Sequence, residues 1–350
     1  GQLQALETVD VAQLSAAQLA GLSSTDLAAF SSSQWAALST ASLKGLKTDQ
    51  LQALSTTQVQ QLSTSYMAAL SSGQLAGFST TMLQVLSSAQ IGALNSGALK
   101  GISTGAVSVL STAQIQALNT VNVKGLSAAQ LGVMSTGQLA ALDSQDFLQL
   151  SSAQLGGLST STVGVLGTAQ IAALGSAAIK GLSTAAISAL STAQIVALSS
   201  ENVKGLSSQQ IGALSSTQMA VFESQDFALL SNAQLTALSS AAATGLSTVQ
   251  LGILSSASIR VLSTAVIAAL TTSQVAALST LQLCALTTAQ DAALSQAQRA
   301  GLTTTQVTFI GLETPLMLDL TGDGIKTLSQ AVGVQFDLNG DGALDRVGWV

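Results

Sequence analysis

From Leu6 onward a large apolar residue returns every eight positions: Leu14, Leu22, Phe30 and Leu38, and so on to Leu294, Leu302 and Ile310. Counting this residue as position one of an octad, position two is nearly always Ser or Thr and position five is most often Gln. Position six is Ile, Leu or Val, and position eight is usually Ala or Gly. Residues 110–117 carry the phrase in full. A unit this small cannot bury its own apolar face, so the pattern predicts an array in which each unit stacks on its neighbours.

The spacing predicts a very short helix per octad. Ser111 and Gln114 form the S-x-x-Q word of a capping box, in which each residue satisfies a backbone N–H of the other. Leu110 and Ile115 then stand at N′ and N4, where a hydrophobic staple forms. The residues that follow are good helix formers. The next Ser-Thr pair opens a new cap, so each helix is expected to last about two turns. The fold class read from this is an all-α solenoid of one helix per octad over residues 1–310. The alternative is a β-solenoid, because positions six and eight alternate and Ile, Val and Thr are frequent. The polar positions read as caps and a solvated face, and Ala or Gly at position eight permits close approach of neighbours.

A second period, ten octads long, overlies the first. Lys44, Lys124 and Lys204 share it, as do Lys100, Lys180 and Arg260. Asp143-Ser-Gln-Asp146 and Glu223-Ser-Gln-Asp226 repeat it again. Duplication of a ten-octad block accounts for this. So does a superhelix with ten octads per turn, which would be about 30 Å wide for helices packed about 9 Å apart. Near the end of the array the pattern decays. Position six becomes Asp291 and then Arg299, which could pair, and Ala243 is a milder lapse. A polar terminal cap explains them.

Composition removes several classes of function. Charged residues are 7% of the chain and the net charge is −6, with Lys and Arg scattered singly, so nucleic acid is not an expected partner. There is no His, which excludes Ser-His and Cys-His catalytic pairs and His-ligated zinc or haem. Cys284 is the single cysteine, and no disulfide within the chain is possible. Ser or Thr interrupts nearly every octad, so no transmembrane run of roughly 18 or more apolar residues arises. No signal peptide is visible. The first residues are already in octad phase and the last break off abruptly, as in an excerpt from a longer protein.

Residues 311–350 have a different composition. Pro315, the only proline, marks the change. Residues 316–320 and 334–338 alternate like short strands, and each leads into an acidic, Gly-rich loop. Asp337, Asn339 and Asp341, followed by Gly342, match the first half of a calcium loop. The carbonyl of Ala343 falls at position seven of that loop and Asp345 at position nine. The bidentate Glu of position twelve is missing, since Gly348 stands there. A second loop offers Asp319, Thr321, Asp323, the carbonyl of Ile325, and Thr327. Alternating oxygens on a flexible turn suit Ca²⁺ better than Mg²⁺, which demands near-ideal octahedral geometry.

Three stretches of residues 315–350 (315–324, 336–342 and 348–350) resemble a segment of large secreted bacterial proteins of the RTX, hemolysin-type calcium-binding class. The resemblance implies one-step export and folding on extracellular calcium. The glycine-rich nonapeptide of that class is absent here, so the array is not its calcium β-roll. The array is itself similar to low-complexity repeats of bacterial exoproteins.

The expected function is therefore non-catalytic: an extracellular or cell-surface structural or adhesive protein. It would be a fibre, stalk or surface-layer component that self-associates, touches cell surface or matrix, and has a calcium-stabilised tail. The alternatives are a glycan- or lipid-binding module and a non-catalytic part of a larger secreted toxin or enzyme. Trp35, Tyr66, Phe147 and Phe227 fall at positions five or six, which makes them core residues rather than a ligand platform.

Overall fold

The structure, a computed structural model, describes residues 2–310, 335–336 and 345–346. Residues 2–310 are helical throughout: thirty-six α-helices, most of four to six residues, and three 3-10 helices at Gln2–Ala5, Val123–Gly125 and Ile179–Gly181. The all-α solenoid forms, and the β-solenoid does not. No helix among the described residues is long and apolar enough to cross a membrane.

Each octad starts its helix as its residues dictate. Ser111 sits in the extended region at φ −70 and ψ 157. Its Oγ accepts the Gln114 N–H at 3.2 Å, and its own N–H donates to Gln114 Oε1 at 2.9 Å. Helix Thr112–Gln116 follows. Helices last little more than one turn rather than two, because position one must leave the helix to set up the next cap. Leu94, between Ser88–Ala93 and Ser96–Leu99, has φ −59 and ψ 137. Positions one and six line the core: Leu110 is 7% exposed and Ile115 0%. Helices this short are unstable alone, so their stability comes from the packed interior.

Packing divides the chain into two compact units, residues 1–231 and 232–350. This division falls inside the array. In both units an octad packs on the octad three further along. Thr8–Ala12 meets Ser32–Ala37 in the first, and Ser240–Ala243 meets Thr264–Ala269 in the second. Side chains bond across successive turns at separations of 25 to 31 residues, as from Thr48 Oγ1 to the Gly73 carbonyl and from Gln114 Nε2 to the Leu83 carbonyl. One turn therefore takes between three and four octads. The expectation of ten octads per turn is incorrect.

Glycines fix the figure more closely. In the first unit Gly45, Gly77, Gly101, Gly125, Gly157, Gly181 and Gly205 all occupy position eight. A Cβ on any of them would stand 1.9 to 2.8 Å from a carbonyl oxygen of the turn below. Successive members lie four, three and three octads apart, twice over, so three turns consume ten octads. The ten-octad period is thus three turns of three and a third octads each. A ten-octad block returns to the same face, whereas nine or eleven octads would not. This edge also compresses its helices. Thr40–Leu43, Ser72–Leu75, Ser96–Leu99 and Ser152–Leu155 have four residues, and Val123–Gly125 and Ile179–Gly181 tighten to 3-10 geometry. Helix Ser200–Gly205 is the exception, with six.

In the tail, β1 (Gln335–Phe336) and β2 (Asp345–Arg346) pair antiparallel, with Gln335 opposite Arg346 and Phe336 opposite Asp345. Strand β1 falls within the strand expected at 334–338. The strand expected at 316–320 lies outside the described residues.

Candidate functional site

Position five carries the chemistry of the array. Gln138 closes its own cap through Oε1, which accepts the Ser135 N–H at 2.8 Å. Its Nε2 donates to the carbonyls of Val107 at 2.9 Å and Leu110 at 2.7 Å, in the turn below. Gln170 makes the same pair of bonds to Leu139 and Leu142, and in the second unit Gln282 makes them to Leu251 and Leu254. The partners lie 31 and 28 residues back each time. These carbonyls end a helix turn and have no full intrahelical complement. Position five was expected to be half of a cap on a solvated face. It is instead buried, with Gln138 only 3% exposed, and it ties one turn to the next.

Departures from Gln vary. At Ala106, Ala186, Ala242 and Val266 the position-two Ser caps the backbone N–H and the side chain has no amide to offer, whereas one octad supplies a substitute. Ala98 has no amide to offer. Asn95, at position two of the same octad, takes over. Its Oδ1 caps the Ala98 N–H at 2.8 Å, and its Nδ2 reaches the carbonyls of Ala68 at 2.9 Å and Leu70 at 2.8 Å. Leu70 is the carbonyl that a glutamine at 98 would have met by the same offset. Tyr66 fills position five with a ring, and its hydroxyl is buried without a hydrogen-bond partner. Burial pushes that phenol above its ordinary range.

Two aspartates at this position behave oppositely. Asp26 lies in the first turn, and the hydroxyl and backbone N–H of Ser23 hold its carboxyl below the usual range. Asp146 is 2% exposed. Burial, reinforced by the nearby Asp143 charge and opposed by the Asp143 N–H, raises its pKa to about 6. The folded chain then holds a proton between about pH 4, where a free Asp titrates, and pH 6. The stability from this neutral form is full below that window and is lost as pH rises through it. Replacing Asp146 with Gln supplies a donor for the Ile115 and Leu118 carbonyls. It is expected to raise the melting temperature at pH 7.5 and to flatten the difference between pH 4.5 and 7.5, as read by calorimetry. An unchanged pH dependence would place the titration elsewhere.

The lapses near the array end do pair. Arg299 Nη2 lies 2.7 Å from Asp291 Oδ1 and also bonds the Asp291 carbonyl. The pair is partly exposed and borders an open pocket of about 420 Å³ with Leu302, Val307 and Ile310. Exposed pairs of this kind contribute about 0–1 kcal/mol, which fits a polar cap. Cys284 is half-buried in its helix, Thr280–Cys284.

Of the expected calcium ligands, Asp319, Thr321, Asp323, Ile325, Thr327, Asp337, Asn339, Asp341 and Ala343 lie outside the described residues. Asp345 lies in β2, opposite Phe336. Among the described residues no group of three or more Cys, Asp or Glu could hold a metal ion.

The sequence profile of the ALTTAQ repeat matches residues 3–40, 36–64, 67–100, 107–144, 139–176, 171–200 and 248–280, well over half of the chain. The chain spells that word at 285–290, where Ala285 is position eight, Leu286 position one, Thr287 the N-cap and Gln290 the inter-turn donor. No curated protein matches this sequence.

Proposed function

The chain belongs to the ALTTAQ repeat family, and on that premise we propose that it is an extracellular structural or adhesive scaffold with a calcium-stabilised tail. The observation that carries this reading is the position-five ladder. Each turn offers carbonyls to the turn above it and amide donors to the turn below, so identical turns add without a break in the core. Monotonous bonding of this kind suits a stalk, fibre or layer and leaves no catalytic constellation among the described residues.

Calcium would be held by Asp337, Asn339, Asp341, the Ala343 carbonyl and Asp345, and in a weaker second loop by Asp319, Thr321, Asp323, the Ile325 carbonyl and Thr327. Support comes from the strand pair. Phe336 and Asp345 are direct partners, about 5 Å apart at Cα, so the residues flanking 337–344 are brought together as a loop ligand requires. Cytoplasmic calcium is too scarce to fill weak acidic loops, which points to the extracellular side.

The test is a calcium titration followed by calorimetry and electron microscopy. Heat release that is lost on Asp337→Asn with Asp341→Asn, together with filaments or layers in the micrographs, is expected. A monodisperse, calcium-indifferent chain overturns the reading.

A further inference from the structure

The lysines that look scattered in sequence are aligned in space. Lys44, Lys100, Lys124, Lys180 and Lys204 each immediately precede a glycine of the tight edge. Five of the six lysines of residues 1–231 therefore occupy one edge of the first unit, and all five are exposed. The contacts confirm the stacking. Ser96–Leu99, which ends at Lys100, packs on Val123–Gly125, which contains Lys124. Ile179–Gly181, which contains Lys180, packs on Ser200–Gly205, which contains Lys204. Lys204 pairs with Glu201 at 3.3 Å, and among the described residues the other four are in no ion pair. The edge glycines hold the backbones close, so these ammonium groups cannot move apart by separating the turns.

We propose that this lysine edge binds a linear acidic polysaccharide lying along the superhelix axis, with one carboxylate or sulfate per disaccharide. Charge spacing favours this partner. Lys100 and Lys124, and Lys180 and Lys204, stand on adjacent turns about 8–10 Å apart, one helix packing distance. Ala76 and Gly156 leave a two-turn gap after Lys44 and Lys124, so the row runs over seven turns with lysine at five of them. A nucleic acid strand carries one charge per about 3.4 Å, so roughly three phosphates would face each turn and most would lack a cation. A polymer whose charges are separated by two sugar rings matches the row far better. Its hydroxyls would meet Ser72 and Ser152, exposed residues of the two edge turns without lysine, whose backbones abut Gly101 and Gly181. A second copy of this chain is a poorer match: of the exposed acids among the described residues (Glu7, Asp10, Asp49, Asp143, Glu201 and Glu223), only Asp143 and Glu223 share the ten-octad step, so two charges in register face a row of five. Each exposed contact is weak, about 0–1 kcal/mol, so affinity must come from engaging several at once. The proposal rests on the extracellular reading for the presence of such polymers, but binding in vitro does not.

The test measures binding of the intact chain to hyaluronan oligomers of increasing length, with dextran and single-stranded oligo(dT) as comparisons. Affinity is expected to rise with oligomer length until the row is spanned, and to fall between about 50 and 200 mM salt. The quadruple variant Lys100→Gln, Lys124→Gln, Lys180→Gln, Lys204→Gln should bind at least tenfold more weakly, with an unchanged helical spectrum. Lys47→Gln, off the edge at position two, should bind within twofold of the unaltered chain. Equal binding of dextran, tighter binding of oligo(dT), an unaffected quadruple variant, or no hyaluronan binding at low salt each overturns the proposal. So does loss of self-association by the quadruple variant without polymer, which would make a second copy the occupant. Failure here with calcium binding and filaments intact removes the partner and leaves the scaffold reading standing.

Discussion

Replacing Gln138 with Glu is expected to cost about 3 kcal/mol at pH 7 and to return much of that at pH 4. The substitution keeps the shape of the side chain and the oxygen that accepts the Ser135 N–H. It removes the amide that donates to Val107 and Leu110. In an environment only 3% exposed, two carbonyls lose their donor and a carboxylate oxygen faces them instead. A buried group left unsatisfied costs about 1–3 kcal/mol. Burial raises the pKa of the new carboxyl above the usual value of about 4.3. The neutral form can donate to one carbonyl, so stability is highest below that value and is lost as pH rises through the folded-state pKa. Gln18→Glu is the control. Gln18 is exposed and its side chain closes only its own cap, and a negative charge there lies at a helix N-terminus, where it is mildly favourable. It should change stability by less than about 0.5 kcal/mol, the usual range for a surface substitution. Urea denaturation of both variants at pH 4 and 7 provides the comparison, and an equal effect at the two sites would show that the inter-turn bonds contribute nothing.

The helices were legible because their cause is local. A cap at position two and its partner at position five lie within one turn, and Ser15 with Gln18 closes that box as Ser111 with Gln114 does. The core was legible for the same reason, since positions one and six repeat without drift. The superhelical turn was not. It is set by contacts three to four octads apart along the chain, and every octad carries nearly the same residues, so no octad announces which other it meets. One signal was available. A capping box accepts Glu as readily as Gln at N3, yet no octad from Asp10 to Gln306 places Glu at position five. A cap alone does not explain why Gln, which accepts with one atom and donates with another, prevails there, although Asp10, Asp26, Asp146 and Asp226 show that an acceptor alone is tolerated. The glycines were equally readable: 45, 77, 101, 125, 157, 181 and 205 mark one edge by their own spacing. The acidic loops of residues 319–327 and 337–345 are legible as motifs, and only Asp345 among their ligands is placed, in β2.

Gly125→Ala is the second large effect, at about 3 kcal/mol destabilising, and Gly105→Ala should act in the opposite direction. A Cβ on Gly125 would meet the Ser96 carbonyl oxygen at 2.0 Å and the Ser96 Cα at 2.8 Å. Those are backbone atoms of a packed element, so relief requires the two turns to separate. Separation in turn strains neighbouring ladder bonds such as Gln130 to Ile102 at 2.7 Å. Overpacking commonly costs about 1–3 kcal/mol, and a clash with rigid backbone belongs at the upper end. Gly105 lies in helix Thr104–Ser108 with nothing within 4 Å of the added carbon. Alanine there removes unfolded-chain freedom and should add about 0.4–1 kcal/mol. Hydrogen exchange resolves the two, because a repeat array opens locally. Amides of residues 94–126 should lose protection in Gly125→Ala while those near residue 20 keep theirs. Octads off the edge tolerate Ala at position eight, as at Ala117 and Ala141, so the cost is a property of one edge per turn. If Gly125→Ala were neutral, the turns could shift apart freely. The spacing of four, three and three octads would then record duplication alone, and the fixed lysine row that depends on that edge would lose its physical basis.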